Sequence, residues 1–327
     1  MTCSVISRQP LSHPWQGFDP FLFAVHHLDH YPAGDGQLGI RPQDRAGEGQ
    51  GWQMYHGERV PGFPAHPHRG FETVSIVLRG FIDHADSLGV AARYGQGDVQ
   101  WLTTGAGIEH GEMFPLVNTD GPNTLELFQI WLNLPPEGKS AQPAFDMFWA
   151  EDLPAVEQDG ARVSVIAGPF GAVQPLAPPP ASWAARADSH LAIWLIDLEP
   201  GGRIDLPTAP AGVLRRAYVY EGTVSVDGTA QPPAHLLDLD PTQGARLSNE
   251  AEVPVRLLVL QSRPIGAPVV ARGPFVLNTS QQMLETISHY QSGGFGPWPW
   301  PSRGQTHGDE GRFIRYPDGR RRGPPGT

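Results

Sequence analysis

Two short motifs hold the residues best suited to chemistry, His66-Pro67-His68 and His110-Gly111-Glu112. In a β-strand, residues i and i+2 project to the same face, so each motif can aim two donors at one point. Three imidazoles and one carboxylate form a borderline donor set. It suits Fe, Mn, Co, Ni, Cu or Zn and is poorly matched to Ca. Four protein ligands on an octahedral ion leave two positions open, which can hold a bidentate substrate, or a substrate together with O2. On that basis the site could be catalytic.

The strands that must carry these donors can be read from alternation. Continued past His68, the same parity takes in Glu72, Val74, Ile76 and Leu78, with Thr73, Ser75 and Arg79 opposite and Val77 as the exception. Ile108, His110, Glu112 and Phe114 share a face in the same way. The ligand face is therefore expected to be the apolar, inward face of a barrel, and Glu72 is expected to look inward too. Pro67 is tolerated at a strand entrance, which places the site near the barrel mouth.

Other elements follow from turn punctuation. Glu72–Leu78, Asp98–Leu102 and Thr124–Leu134 read as strands in the first half. Leu191–Leu198, Ala217–Tyr220, Thr223–Val226, His235–Leu239 and Pro254–Gln261 read as strands in the second. The expected fold class is all-β, two similar barrels with a short C-terminal helix. That helix is Ser280–Gln291, with Ser280 as its cap, Met283, Leu284, Ile287 and Tyr290 at helical spacing, and Gly293 and Gly294 as its stop. The division expected is residues 1–138 for a metal-binding barrel and 139–182 for a linker, with a short helix within Ala144–Asp159. Residues 183–296 form a metal-free barrel with the helix, and residues 297–327 a flexible tail rich in Pro, Gly and Arg.

Bulk composition narrows the function classes. The chain has 327 residues, with 39 Gly and 35 Pro, as expected of many turns between short strands. A formal net charge of −11 argues against a nucleic-acid surface. Lys139 is the single lysine, and Cys3 the single cysteine, so neither an intrachain disulfide nor a thiolate cluster can form. Met1 to Pro10 lack an apolar signal core, and no apolar run approaches the roughly 20 residues needed to span a bilayer. The expectation is a soluble cytoplasmic protein.

Further polar residues read mostly as structural. His84, within Asp83-His84-Ala85-Asp86, is expected in a turn with local hydrogen bonds. His26, His27, His30 and His56 are read as structural or surface groups, and Arg320-Arg321-Arg322 as a solvated terminus. Gln129 and Trp131 could line the cavity or pack in the core. His190 and His235 stand isolated in the second half.

Longer runs resemble a known family. HPHRGFETVSIVLRG, HADSLG and GDVQWLTTGAGIEHGEMFP, together with GFDPFL, LFQIWLNLP and ARGPFVLNTSQQM, closely resemble the pirin family of the cupin superfamily. The resemblance runs from about Gly17 to Gly296. It implies two stacked cupin (jelly-roll) barrels and one divalent metal per chain, most often Fe(II), in the N-terminal barrel on His66, His68, His110 and Glu112. Glu72 stands where many cupins place a ligand, and here is expected to orient a ligand imidazole. The activity implied is quercetin 2,3-dioxygenase-like cleavage of a small aromatic substrate with O2. Glu112 would be the base and Glu72 its alternative. The resemblance also implies a rival role, a metal- or redox-responsive transcription cofactor with a protein partner and no turnover.

Overall fold

His68 and Phe71 lie on different sheets, and the turn between them explains much of the architecture. Gly70 adopts φ +85°, where a Cβ would stand 2.0 Å from the Val276 carbonyl oxygen. Lys139 locks this turn. Its buried ammonium donates to the Gly70 oxygen at 2.8 Å, to Asn133 Oδ1 at 2.7 Å and to the Val276 oxygen at 3.0 Å. The computed structural model describes residues 4–326, so Cys3 lies outside the described residues. No described helix is long and apolar enough to cross a membrane.

The chain forms two units, each a cupin barrel. One comprises Ala24–Glu151 and Ala267 onward, the other Asp152–Gly266 and the described residues up to Phe23. In the first unit, one sheet has Ala144–Phe148, Val99–Thr103, Phe71–Arg79, Asn123–Asn133 and Phe21–Tyr31 as neighbours in that order. The facing sheet runs Arg321–Arg322, Phe313–Arg315, Ala91–Gly95, Phe81–Asp86, Ile108–Met113 and Gly62–His68. Between them lie Tyr31, Val77, Tyr94, Leu102, Ile108, Phe114 and Leu127, all buried. This interior supplies the apolar burial that holds the barrel together.

The second unit repeats the plan. Val5–Pro10, His235–Leu239, Leu214–Glu221, Val255–Ser262, Ala192–Leu198, Ala161–Ala167 and Ala155–Gln158 form one sheet. Arg203–Leu206, Ala245–Ser248, Val224–Val226 and Thr229–Gln231 form the other. Val163, Trp194, Val219, Leu237 and Leu257 fill its interior.

The structure redraws the expected boundaries. Val5–Pro10 pairs with His235–Leu239, so the N-terminal strand completes the second unit. The expected linker holds strands, and Ala144–Phe148 and Ala155–Gln158 stand where a short helix was expected. Phe145 is drawn into the first barrel's core, opposite Leu102, and this burial overrides local helical preference. The expected flexible tail is also ordered: Phe313 and Ile314 are buried, and Phe313–Arg315 pairs with Ala91–Arg93. Two buried apolar residues and a free sheet edge outweigh the surrounding Pro/Gly composition. The helix spans Ser280–Gln291, but Thr279 caps it in a capping box with Gln282.

Candidate metal centre

The two motifs meet through strand pairing. Gly62–His68 runs antiparallel to Ile108–Met113, with His66 opposite His110 and Phe63 opposite Glu112 across a bulge. Directly opposed residues share a face, so His66 and His110 converge. The ligand atoms of His66, His68 and His110 lie within 4.8 Å of one another. The Nε2 atoms of His66 and His68 face each other at 3.1 Å. His66 Nδ1 donates to the Pro64 oxygen at 2.9 Å, which leaves its Nε2 as a lone-pair donor.

Burial pushes the pKa of His66, His68 and His110 down, and their mutual proximity adds to this for His68 and His110. Neutral imidazole is the form that binds a metal. Neither ring nitrogen of the buried His110 has a hydrogen-bond partner among the described residues. A buried imidazole with both nitrogens unmet is costly unless something else occupies them. The three side chains therefore fit a divalent metal ion.

Glu112 lies outside this close group. Its Oε2 accepts from Gln129 Nε2 at 2.8 Å, and its Oε1 takes a longer contact of 3.3 Å from the Ser75 hydroxyl. Gln129 and Trp131 line the same space, since Trp131 stacks on Phe71 at 4.2 Å and both rings abut His68 at about 5 Å. The barrel thus offers three imidazoles, a neighbouring carboxylate and the Trp131 ring backed by Phe71.

Glu72 is not brought to this group. Its carboxylate accepts from the Thr103 hydroxyl at 2.7 Å, opposite it on the neighbouring strand. Phe71, Ser75 and Val77 face the barrel interior, so Glu72 alternates to the other face. The parity read from His68 fails because the Gly70 turn carries the chain to another sheet. His26 binds Glu126 at 3.2 Å and His27 binds Tyr55 at 2.7 Å, both outside the group, while His30 and His56 are exposed. Arg320 pairs with Asp318 and Arg321 with Glu310 at the surface.

His84 departs most from expectation. It is fully buried on a strand opposite Glu112, and its ring centroid is 5.5 Å from that of His110. Tyr94 donates to Gln100 Oε1 at 3.0 Å, Gln100 Nε2 donates to His84 Nδ1 at 3.1 Å, and His84 Nε2 donates to Asp86 Oδ2 at 3.0 Å. The alternation in Asp83-His84-Ala85-Asp86 was the available signal: read as a strand, it puts His84 and Asp86 on one face.

The C-terminal segment backs the ligand strands. The Ala65 amide donates to the Arg303 oxygen at 2.8 Å, and Arg303 Nη2 donates to the Ala65 oxygen at 2.6 Å and to Glu109 at 3.0 Å. Trp300 donates to the Asp86 oxygen at 2.8 Å, and the His307 ring donates to the His84 oxygen at 2.7 Å. On the outer face, Arg93 grips Asp83 at 2.6 and 2.7 Å and donates to the Gly308 and Glu310 carbonyls at 2.8 and 2.6 Å.

Fold and site together define a two-barrel cupin protein with three histidines in one barrel arranged so that they could hold a metal ion. Residues 7–132 match the Pirin family, and residues 193–296 match the Pirin C-terminal cupin domain. The chain belongs to the pirin family. A pirin-like protein of Solanum lycopersicum is 34% identical over 240 residues, 72% of this chain and 77% of the relative. A Pseudomonas aeruginosa relative, whose name assigns quercetin 2,3-dioxygenase activity provisionally, is 36% identical over 243 residues, 72% of this chain and 80% of its own. The crystal structure of a quercetin 2,3-dioxygenase from Acinetobacter baumannii is similar with a TM-score of 0.71 at 27% identity, covering 90% of this chain and 99% of that one.

Proposed function

We propose that this chain is an Fe(II)-dependent dioxygenase of the quercetin 2,3-dioxygenase type, acting on flavonol-like aromatic substrates with O2. The observation that carries the reading is the trio of neutral imidazoles, His68 and His110 buried and His66 half-buried, beside a hydrogen-bonded carboxylate and an aromatic ring. His66, His68 and His110 would hold the ion, with Glu112 as the fourth donor. A bound divalent ion supplies the Lewis acidity that lowers a hydroxyl's pKa and the electronic access that O2 chemistry needs.

The protein's own residues do the rest. Trp131, stacked on the fully buried Phe71, offers a flat apolar face to a planar ring system. Gln129 and Ser75 fix the Glu112 carboxylate, leaving it lone pairs to accept the proton of a substrate hydroxyl. The buried interior keeps bulk water from the deprotonated substrate. Glu72, on the opposite sheet face, plays no part in this step.

The test is anaerobic loading with Fe(II), followed by oxygen uptake with quercetin. Turnover is expected. Glu112→Gln is expected to keep part of the metal and lose at least the roughly 100-fold typical of a lost general base. No oxygen uptake by the iron-loaded wild type would refute the enzyme and favour a regulatory protein without turnover. Undiminished turnover in Glu112→Gln would overturn the base.

A further inference from the structure

The second barrel has no part in the chemistry above, yet it holds a charge that its fold leaves uncompensated. Arg215 is 2% exposed on Leu214–Glu221, alternating with Ala217 and Val219, which face the barrel interior. Its Nε donates to Gln261 Oε1 at 2.8 Å, and its Nη2 donates to the same oxygen and to the Pro207 carbonyl at 2.6 Å. Gln261 is itself fixed, donating to the His190 oxygen at 3.0 Å. Nη1, with two N–H groups, is buried and has no hydrogen-bond partner among the described residues.

Among the described residues no acidic side chain pairs with this guanidinium. Burial alone acts on it, pushing its pKa down to about 10, so the group remains charged at neutral pH. The Trp194 ring at 5.8 Å gives a cation–π contact but no counter-charge. A charge removed from water without a partner is unfavourable, and folds normally supply one. Arg216, next in the chain but on the other face, has its carboxylate in Asp238 at 2.7 Å. The contrast between neighbours marks Arg215 as a charge awaiting a partner from outside the chain.

Its position suits a ligand. The order His235–Leu239, Leu214–Glu221, Val255–Ser262, Ala192–Leu198 matches Val99–Thr103, Phe71–Arg79, Asn123–Asn133, Phe21–Tyr31 in the metal-binding unit. The bulge that skips Leu78 between Val77↔Leu127 and Arg79↔Glu126 recurs at Tyr220 between Val219↔Leu257 and Glu221↔Arg256, so Arg215, opposite Gln261, takes the level of Thr73, opposite Trp131, whose ring abuts ligand His68. Small residues, Ala192 and Ala217, stand in the adjoining strand positions.

We propose that the second barrel is a binding site for a small planar oxyanion, a carboxylate the size of formate or acetate, held on Arg215 Nη1. The two N–H groups of Nη1 diverge, so a carboxylate oxygen can accept a charge-assisted hydrogen bond from one of them while Nε and Nη2 stay with Gln261 and Pro207. Gln261 and Pro207 hold the guanidinium in place before the anion arrives, so little side-chain freedom is lost on binding. The exposed residues between Pro207 and Val213, which include Pro210 and Gly212, must shift to admit it, since Nη1 is enclosed here.

The test uses the full-length, chelator-treated protein and 13C-formate, followed by saturation-transfer NMR and by thermal unfolding at constant ionic strength against chloride. Saturable formate binding with a raised Tm is expected, and it should persist in His66→Ala/His68→Ala, which separates it from the metal centre. Arg215→Met should weaken formate by roughly tenfold or more. Arg215→Lys, the variant to use if Arg215→Met does not fold, keeps the charge but loses the planar group that Gln261 and Pro207 hold in place, and should also weaken it. Absence of saturable binding in the wild type, or undiminished affinity in the Arg215 variants, overturns the proposal.

Discussion

Replacing Arg93 tests how the C-terminal segment is fastened to the metal-binding barrel. Arg93 is 1% exposed and Asp83 fully buried, joined by two hydrogen bonds of 2.6 and 2.7 Å. In Arg93→Met the carboxylate would lose both guanidinium bonds and keep the His307 amide at 3.0 Å. Breaking a buried pair by removing one partner costs about 3–5 kcal/mol. The Gly308 and Glu310 carbonyls lose a charged donor as well, which brings the expected loss to the upper end of that range. That is a large share of the roughly 5–15 kcal/mol typical of whole proteins. Asp83→Leu/Arg93→Met should recover much of it, because a buried pair replaced by apolar groups is often nearly neutral. The assay is urea unfolding of the metal-free protein, followed by tryptophan fluorescence and far-UV circular dichroism. A loss below about 1 kcal/mol in Arg93→Met, or a double variant as unstable as the sum of its singles, would refute the reasoning.

The ligand histidines predict a pH dependence. Their folded pKa values lie below the ordinary value near 6.5, so below that pH the unfolded chain binds more protons. Stability of the metal-free protein should hold above about pH 6.5 and fall beneath it, by about 1.4 kcal/mol per pH unit for each such group; a urea midpoint unchanged down to pH 5 would contradict this. His66→Ala/His68→Ala should abolish binding of the single metal ion in elemental analysis while the far-UV spectrum stays folded, since the barrel core carries the stability; an unfolded spectrum would make the metal structural. Gly107 has φ +126°, and a Cβ there would lie 2.4 Å from Phe295, so Gly107→Ala should cost roughly 1–3 kcal/mol in thermal unfolding. A wild-type Tm would show that Phe295 yields easily.

The parts legible in the sequence were those set by local alternation. His66, His68 and His110 announce themselves because i and i+2 in a strand share a face, and the helix Ser280–Gln291 because its apolar residues recur at helical spacing, while Glu112 shares the barrel but stands outside the three-histidine group. Glu72 misled because parity was carried through Arg69-Gly70, where the chain changes sheet. His84 was hidden because a four-residue polar string reads equally as turn or strand until its pairing with Ile108–Met113 is known. The ordering of residues beyond 296 depends on contacts with Ala65, Asp83 and Arg93, more than 200 positions away, and no local pattern encodes those.

The exchange of chain ends between the two units has a consequence for biosynthesis. A ribosome delivers the ligand strands first, but the Phe313–Arg315 strand that pairs with Ala91–Arg93 emerges about 200 residues later. At roughly 5–20 residues per second, that is a delay of about 10–40 s. During it the nascent metal half presents an unpaired edge at Ala91–Gly95 and an uncovered Arg93. Val5–Pro10, made earliest of all, waits in turn for His235–Leu239. The second barrel has all its strands once Val255–Ser262 is made, whereas the metal-binding barrel, begun first, is completed last, and its open edge needs shielding in the interval.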